Sequence, residues 1–299
     1  MKRVSKKFIY LLVLLVSLFV AGELLLRMIW GFGTMPLYVE SKQYEYIFAP
    51  NQEMTRFGVH FYTNSYSQRA DEPDANRKIV LGLGDSVING GSQTDNDSLA
   101  TSIVSKNTEY QMLNISVGSW GPDNCAAYLK EQGLFGAKAM FVVLSSHDVD
   151  DCMDFVPIVG VHKSYPNEQY TLAIQEVIDR YVIPRLFVSE NLDPDEKVLK
   201  GIDKGSNWNH GWDELKEIAC QANIPLILIL HAEKTELKAG DYNEKGQMIQ
   251  QWANENQIKL IKDITILKEE NYRDNIHVNA SGQRVLADLM INELSAMSL

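Results

Sequence analysis

Apolar and polar residues alternate along this chain in blocks that predict buried strands separated by helices. Five apolar runs have strand length and cover residues 79–87 (where the strand passes into a loop and helix), 111–117, 139–146, 225–231 and 258–264. Helices are predicted at residues 96–106, 126–132, 211–221, 244–256 and 280–294. Because strands and helices alternate at this spacing, we expect an α/β fold: a parallel sheet with helices on both faces and right-handed crossovers.

A longer apolar run precedes these blocks and covers residues 8–30. Four basic residues stand before it: Lys2, Arg3, Lys6 and Lys7. The charges inside the run, Glu23 and Arg27, are four residues apart and can pair on one helical face. At about 1.5 Å per residue the run can cross a hydrocarbon core of about 30 Å. We therefore predict a transmembrane anchor with its basic flank in the cytoplasm and the rest of the chain extracytoplasmic, in the periplasm or at the cell surface.

A cleaved signal peptide is the alternative for this run, since residues 8–22 carry no charge. Against cleavage, the sequence shows no small-x-small site followed by a polar segment, and apolar character resumes at residues 24–30.

The sequence suggests three regions. Residues 1–30 are the basic flank and anchor, and residues 31–77 are a stalk and N-terminal lip with one or two edge strands near residues 57–66. Residues 78–299 form the main domain, in which an insertion at residues 150–209 breaks the strand–helix rhythm. Within this insertion we expect a helix at residues 172–182, stopped by Pro184, and a wall of the substrate pocket.

Composition excludes some functions. The chain has 299 residues, 45% of them hydrophobic, and a net charge of −11, which argues against nucleic acid as a partner. Its three cysteines, Cys125, Cys152 and Cys220, match neither a disulfide framework nor a zinc spacing. We expect buried free thiols, with a Cys125–Cys152 bridge as the alternative outside the cytoplasm.

The first candidate catalytic motif is Gly84-Asp85-Ser86, at the end of the first strand of the main domain. This places a hydroxyl at the carboxyl end of a central strand, where open α/β sheets bind ligands. A serine needs a base to become nucleophilic, and His277 suits that role because imidazole titrates near neutrality. Asp274, three residues earlier, can orient the ring and stabilise the imidazolium. Backbone amides of Ser86 and of the turn at residues 118–119 are candidate donors to an oxyanion.

A second polar corner follows the third strand at residues 145–148. Its His147 and Asp148, together with nearby acids, resemble a metal site, but adjacent acids at a strand exit more often form a solvated loop. We therefore predict neither a metal nor a cofactor. The remaining histidines have no partner spacing and receive no role: His60, His162, His210 and His231.

Three motifs resemble the blocks of the SGNH (GDSL) hydrolase family over residues 78–294. They are Gly84-Asp85-Ser86, the segment 114–119 (NISVGS) and the segment 274–282 (DNIHVNASG). The resemblance implies a flavodoxin-like three-layer α/β/α fold with Ser86 as nucleophile, His277 as base and Asp274 as its orienter.

Two positions depart from the family pattern. The oxyanion-donating glycine of the second block is Ser119 here, and that substitution retains the backbone amide. The third block, Gly-x-Asn-Asp in the family, is Ser145-Ser146-His147-Asp148. His147 thus replaces the asparagine that donates to the oxyanion. We predict an oxyanion hole formed by Ser86, Ser119 and His147, tuned differently from the family's.

The leading functional hypothesis is a serine esterase that removes or transfers O-acyl groups, acetyl in particular, on an extracytoplasmic glycan through an acyl-Ser86 intermediate. Its partners would be an acylated carbohydrate or polysaccharide and the membrane. The alternative is a catalytically inactive carbohydrate-binding or assembly protein of an envelope polysaccharide system. An α/β-hydrolase lipase is disfavoured because Ser86 lacks a Gly-x-Ser-x-Gly elbow. A nucleotide-binding domain is disfavoured because the glycines complete no phosphate-binding fingerprint.

Overall fold

The alternating strands and helices build one parallel sheet at the centre of the molecule. The computed structural model describes residues 5–186 and 208–297. Its strands are β1 (Tyr38–Ser41), β2 (Glu45–Phe48), β3 (Glu53–Arg56), β4 (Val59–Tyr62), β5 (Lys78–Gly84), β6 (Tyr110–Ser116), β7 (Met140–Ser145), β8 (Leu226–His231) and β9 (Lys259–Lys262). The last five form the sheet in the order β6-β5-β7-β8-β9, all parallel. This order is that of a flavodoxin-like fold, whose switch point lies between β5 and β7.

Helices cover both faces of the sheet, as the sequence predicts. The helices of the described residues, including those that do not pack on the sheet, are α1 (Lys6–Leu25), α2 (Ser86–Asn89), α3 (Ala100–Asn107), α4 (Pro122–Gln132), α5 (Ala173–Val177), α6 (Ile183–Leu186), α7 (Gly211–Ala222), α8 (Lys234–Ala239), α9 (Glu244–Glu255) and α10 (Ala280–Ala296). Successive side chains of a strand point to opposite faces, so β5 contributes to two cores. Leu81 and Leu83 pack in a cluster with α4, α7 and α9, whereas Val80 packs with α2, α3 and α10.

The N-terminal strands form two separate antiparallel hairpins, β1–β2 and β3–β4, which are not hydrogen-bonded to the main sheet. The predicted strand near residues 57–66 is β4, an edge strand of the hairpin β3–β4 rather than of the main sheet. The hairpins' aromatic side chains Tyr44, Tyr46, Phe48 and Phe61 are buried in the same cluster as the sheet. Burial of these rings ties residues 38–62 to the main domain, and the division at residue 77 stays a prediction.

In the insertion, the helix continues past the point where Pro184 was expected to stop it. α5 passes into a π-helical turn at Ile178–Val182, and α6 contains Pro184. Proline lacks an N–H and clashes with the carbonyl four residues earlier, and a widened turn before it accommodates both effects. The polar end of the insertion, residues 187–207, lies outside the described residues, as do Lys2 and Arg3.

The three cysteines are free thiols in the described structure. Cys125 is buried, as expected, and Cys152 is half-buried. Cys220 is exposed on α7, so the expectation of a buried thiol is wrong there.

Candidate active site

Ser86 lies at the sheet's switch point because the end of β5 allows the chain to turn sharply. Gly84 has a φ of +153°, and a Cβ there would lie 2.2 Å from the carbonyl oxygen of Val143 on β7. Asp85 then caps α2 by accepting a hydrogen bond from the amide of Val87 (2.8 Å). Ser86 is the first residue of this helix and half-buried, so its hydroxyl faces the rim of the sheet.

The structure brings Ser86, His277 and Asp274 into one hydrogen-bonded chain. The Ser86 hydroxyl donates to Nε2 of His277 over 2.9 Å. Nδ1 of His277 donates to Oδ2 of Asp274 over 2.8 Å. The three side chains thus have the contacts that a serine triad requires, and their roles as nucleophile, base and orienting carboxylate remain predictions.

Asp274 is held as a carboxylate. Its partial burial acts to raise the pKa, but amide donation from His277 (2.8 Å) and Ile276 (3.0 Å) and the contact with the imidazole outweigh it, giving a pKa of about 2. The carboxylate is therefore ionised throughout the range in which imidazole acts as a base.

The loop that carries the base rests on a buried His–Asp pair that the sequence analysis missed. His231, at the end of β8, donates from Nδ1 to Asp263 (2.6 Å) and from Nε2 to the carbonyl oxygen of Ile276 (2.8 Å). Both side chains of the pair are fully buried, and the ring of Tyr272 stacks on His231. Burial acts to lower the pKa of His231, but the neighbouring carboxylate of Asp263 outweighs it and raises the pKa. An acceptor at each ring nitrogen suits the protonated ring. The sequence does contain a signal for this residue, because His231 ends an apolar strand at the same edge of the sheet as Ser86.

Gln283 on α10 connects the segment that carries the base to the helix of the nucleophile. Its buried side chain donates to the carbonyl oxygen of Val87 (2.7 Å) and accepts from the amide of Ala100 (2.9 Å). Gln283 therefore connects α10, which follows the loop of His277, to α2, which begins at Ser86.

The turn at residues 118–119, a predicted source of oxyanion donors, begins beside Ser86. The Ser86 amide, the first of α2, has no partner within the helix. Gly118 is adjacent, since a Cβ on it would lie 3.9 Å from the Ser86 Cβ. Ser119 has a φ of +60°, the left-handed conformation that glycine adopts most easily. Tyr46 fixes this turn by donating to the carbonyl oxygen of Gly118 (2.9 Å). The roles of these amides remain predictions.

His147 lies among carboxylates. Its Nδ1 is 3.3 Å from Glu233, and its Nε2 is 3.5 Å from Asp148 and 3.8 Å from Asp85. Burial would lower the pKa of the ring, but Asp148, Glu233 and Asp85 together raise it to about 9. His147 is therefore a cation at neutral pH.

Asp148 is fully buried, so the expectation of a solvated acidic loop is wrong for this residue. It accepts from the amide of Ser145 (2.7 Å), and burial raises the pKa of both Asp148 and Asp85. Asp85, His147 and Asp148 place one potential metal-ligand atom each within 4.8 Å of one another. The His147 ring lies beside both acids, while Oδ1 of Asp148 is buried without a hydrogen-bond partner among the described residues. The expectation of no metal remains a prediction.

A cavity of about 450 Å³ lies between the hairpins, the insertion and the loop that follows α2. Its lining includes Phe57, Gln93, Lys163 and Arg180, but none of the three triad residues. The cavity shares with the site only the loop at residues 91–93, so it is a neighbouring feature rather than the reaction centre.

Comparisons with known proteins give structural neighbours but no sequence relatives. No protein-family profile matches the sequence. No curated protein matches it either.

Among similar solved structures is a lipolytic protein of the G-D-S-L family from Veillonella parvula (13% identity, TM-score 0.43, covering 74% of this chain and 100% of that one). Another is the acetyl xylan esterase AlAXEase (14% identity, TM-score 0.44, covering 72% of this chain and 99% of that one). A third is a carbohydrate acetylesterase family member from Sinorhizobium meliloti (11% identity, TM-score 0.43, covering 73% of this chain and 98% of that one). At these values the likeness concerns the fold, and the site rests on this chain's own contacts. The sheet order and the helices on both faces confirm the three-layer α/β/α fold that the SGNH (GDSL) resemblance implies.

Proposed function

We propose that this chain is a serine esterase of the SGNH (GDSL) type that acts on O-acyl, in particular O-acetyl, groups of an extracytoplasmic glycan. One observation carries the reaction class: the hydrogen-bonded chain from Ser86 through His277 to Asp274. The glycan rests on the sequence resemblance and on the predicted membrane topology.

The proposed reaction has two balanced steps. The Ser86 hydroxyl loses its proton to Nε2 of His277 while its oxygen adds to the acyl carbon, and Asp274 stabilises the imidazolium. The backbone amides of Ser86 and Ser119 are the proposed donors to the oxyanion. His147 is the third proposed donor, and it must turn one ring nitrogen away from its carboxylates to act. The intermediate expels the sugar oxygen, which takes the proton from His277. Water then cleaves acyl-Ser86 to a free acid, or a second sugar hydroxyl accepts the acyl group.

The test uses the full chain in detergent with p-nitrophenyl acetate. Ser86→Ala is expected to lower kcat by at least about 10³-fold, because among the described residues the hydroxyl hydrogen-bonded to His277 is that of Ser86. Ser295→Ala, an exposed serine near the end of α10, is the matched control and should retain activity. Unchanged turnover in Ser86→Ala would remove Ser86 as the nucleophile.

A catalytically inactive glycan-binding protein is the second candidate. The observation that favours it is the His147 ring, whose nitrogens both face carboxylates. This candidate predicts that a fluorophosphonate probe leaves Ser86 unlabelled while the protein binds acetylated polysaccharide. Labelling of Ser86 in the wild type, and its absence in Ser86→Ala, would decide for the esterase.

We further propose that the N-terminal helix is a retained anchor. Residues 6–30 form one helix long and apolar enough to be a membrane span or a signal sequence. Retention is supported by its tertiary contacts: Glu23 accepts from the amide of Ala173 (2.7 Å), and Arg27 donates to the carbonyl oxygen of Thr171 (2.7 Å). A mature N-terminus beyond Arg27 in protein isolated from membranes would contradict it.

A further inference from the structure

We propose that residues 172–186, termed here the interfacial segment, form with Trp30 and Phe57 a second membrane contact surface, lying in the outer headgroup region of the bilayer. This inference rests on the proposed transmembrane anchor and adds a membrane surface to the catalytic domain itself.

The depth of the interfacial segment follows from its attachment to the anchor helix. At about 1.5 Å per residue, the rise from Lys6 to Glu23 is about 26 Å, close to the ~30 Å thickness of a hydrocarbon core. The Glu23 carboxylate accepts hydrogen bonds from the first amides of the segment, those of Ala173 (2.7 Å) and Ile174 (3.0 Å). The segment therefore begins at the level where the anchor leaves the hydrocarbon.

The segment is amphipathic, with its apolar side directed outward. Ala173 and Glu176 are buried against the domain. In contrast, Ile178 is 46% exposed, Val182 39% and Ile183 41%. Large apolar side chains that stand together on a surface mark a contact with another apolar phase.

Charged groups of the segment have hydrogen-bond partners within the protein. Asp179 accepts from the hydroxyl of Tyr170 (2.5 Å), and Arg180 donates to the carbonyl oxygen of Lys163 (2.6 Å). Arg185 donates to the carbonyl oxygen of Tyr181 (2.6 Å). Basic side chains next to an apolar stripe are typical of helices that lie on anionic lipid surfaces.

Aromatic residues join the segment to the end of the anchor. The amide of Phe57 donates to the carbonyl oxygen of Trp30 (2.9 Å), and the ring of Phe32 packs edge-on against both Phe57 and Tyr181. Trp30 is 44% exposed and Phe57 46%. The amphipathic rings of Trp and Tyr are enriched at the level of lipid headgroups, which fits Trp30 and Tyr181.

A lipid bilayer, rather than a protein, is the occupant because this surface continues the surface of α1. No side chain of α1 is buried in the described structure, so its apolar residues also require a covering phase. One bilayer around α1 would reach the interfacial segment without a further partner.

The test places single spin labels on the full chain in vesicles of phosphatidylcholine and phosphatidylglycerol. The background carries Cys152→Ser and Cys220→Ser, which leaves the buried Cys125. Two labelled positions lie on the segment, Ile178→Cys and Val182→Cys. The reference positions are Leu14→Cys within α1 and Glu217→Cys at an exposed position of α7. Collision rates are measured with oxygen, which concentrates in lipid, and with a water-soluble nickel chelate.

Labels at residues 178 and 182 are expected to collide several-fold more with oxygen, relative to the nickel chelate, than the label at residue 217. The labels at residues 178 and 182 could instead show the same ratio of collision rates as the label at residue 217, while the label at residue 14 collides mainly with oxygen. The interfacial segment would then lie outside the membrane, and the proposed anchor would be retained. Protection from both reagents would mean a protein contact and would also overturn the inference. A water-exposed residue 14 would overturn the anchor and this inference together.

Discussion

At the scale of single residues, His147 is the position where this chain departs furthest from the family pattern. The family's asparagine is a neutral donor, whereas His147 is a cation with carboxylates around both ring nitrogens. Its partner Asp85 is the neighbour of the nucleophile in sequence. The three surrounding acids offset this positive charge, so a role of His147 at the acyl oxygen stays a prediction.

The charge of His147 predicts a pH dependence of stability. Its folded pKa of about 9 lies above the ordinary value of about 6.5, so its ion pairs stabilise the fold fully below pH ~6.5 and less as pH rises through ~9. Glu233→Gln removes one carboxylate and should move this loss to lower pH. The ring is 40% exposed, so solvent screening keeps the effect modest.

Thermal unfolding followed by circular dichroism between pH 6 and 10 measures this shift. Glu244→Gln, an exposed acid at the start of α9, is the matched control and should follow the wild type. Identical alkaline profiles for Glu233→Gln and wild type would show that Glu233 does not hold the proton on His147.

At the scale of elements, the base is positioned by the ends of two strands. β8 ends in His231, and Asp263 follows β9, so the buried pair joins two neighbouring strands and then reaches the loop through the carbonyl of Ile276. The loop is closed by a backbone bridge between Tyr272 and Val278. His277 thus lies on a short loop held from both sides.

His231→Leu is expected to destabilise the fold by about 3–5 kcal/mol, since it leaves the carboxylate of Asp263 buried without its partner. The double variant His231→Leu/Asp263→Leu should recover part of this stability. It should not recover kcat, because the Ile276 carbonyl remains without its donor.

Denaturant unfolding and p-nitrophenyl acetate kinetics separate these two effects. His60→Leu, at a histidine whose side chain is 40% exposed, is the control and should change neither quantity much. Wild-type kcat in the double variant would mean that His231 stabilises the fold without positioning the base.

At the scale of the whole molecule, one buried ion pair joins the regions around the anchor. Arg56 on β3 pairs with Glu176 on α5, and the same carboxylate accepts from the amide of Gly33 (2.6 Å). Glu176 is fully buried. The segment that follows the anchor, the hairpin β3–β4 and the interfacial segment are therefore all held by the carboxylate of Glu176.

Glu176→Gln is expected to cost about 3–5 kcal/mol of stability, because the guanidinium of Arg56 stays buried without its counter-charge. The side-chain oxygen of the introduced glutamine can still accept the hydrogen bond from the amide of Gly33. The loss of stability therefore measures the ion pair between Arg56 and Glu176. Thermal unfolding of the full chain in detergent measures it, with Glu168→Gln, an exposed acid of the same insertion, as control. Equal unfolding temperatures for the two variants would mean that the pair contributes little.

Sequence predicted the sheet well because buried strands are marked by short apolar runs. The run at residues 139–146 became β7 (Met140–Ser145), and that at residues 225–231 became β8 (Leu226–His231). The hairpin β1–β2 was not predicted, since its strands of four residues alternate with polar groups and depend on burial against the main domain.

The sequence by itself determined the alternation of strands and helices and the apolar N-terminal helix. It also gave Ser86, His277 and Asp274 as the candidate catalytic residues. These follow from local periodicity and from motif spacing, which are properties of neighbouring residues. Only the tertiary structure decided that Ser86 meets His277 at 2.9 Å, that His231 supports the loop of the base and that His147 is surrounded by carboxylates. Those contacts join residues distant in the chain, and their energies depend on burial and charge that exist only once the sheet has formed.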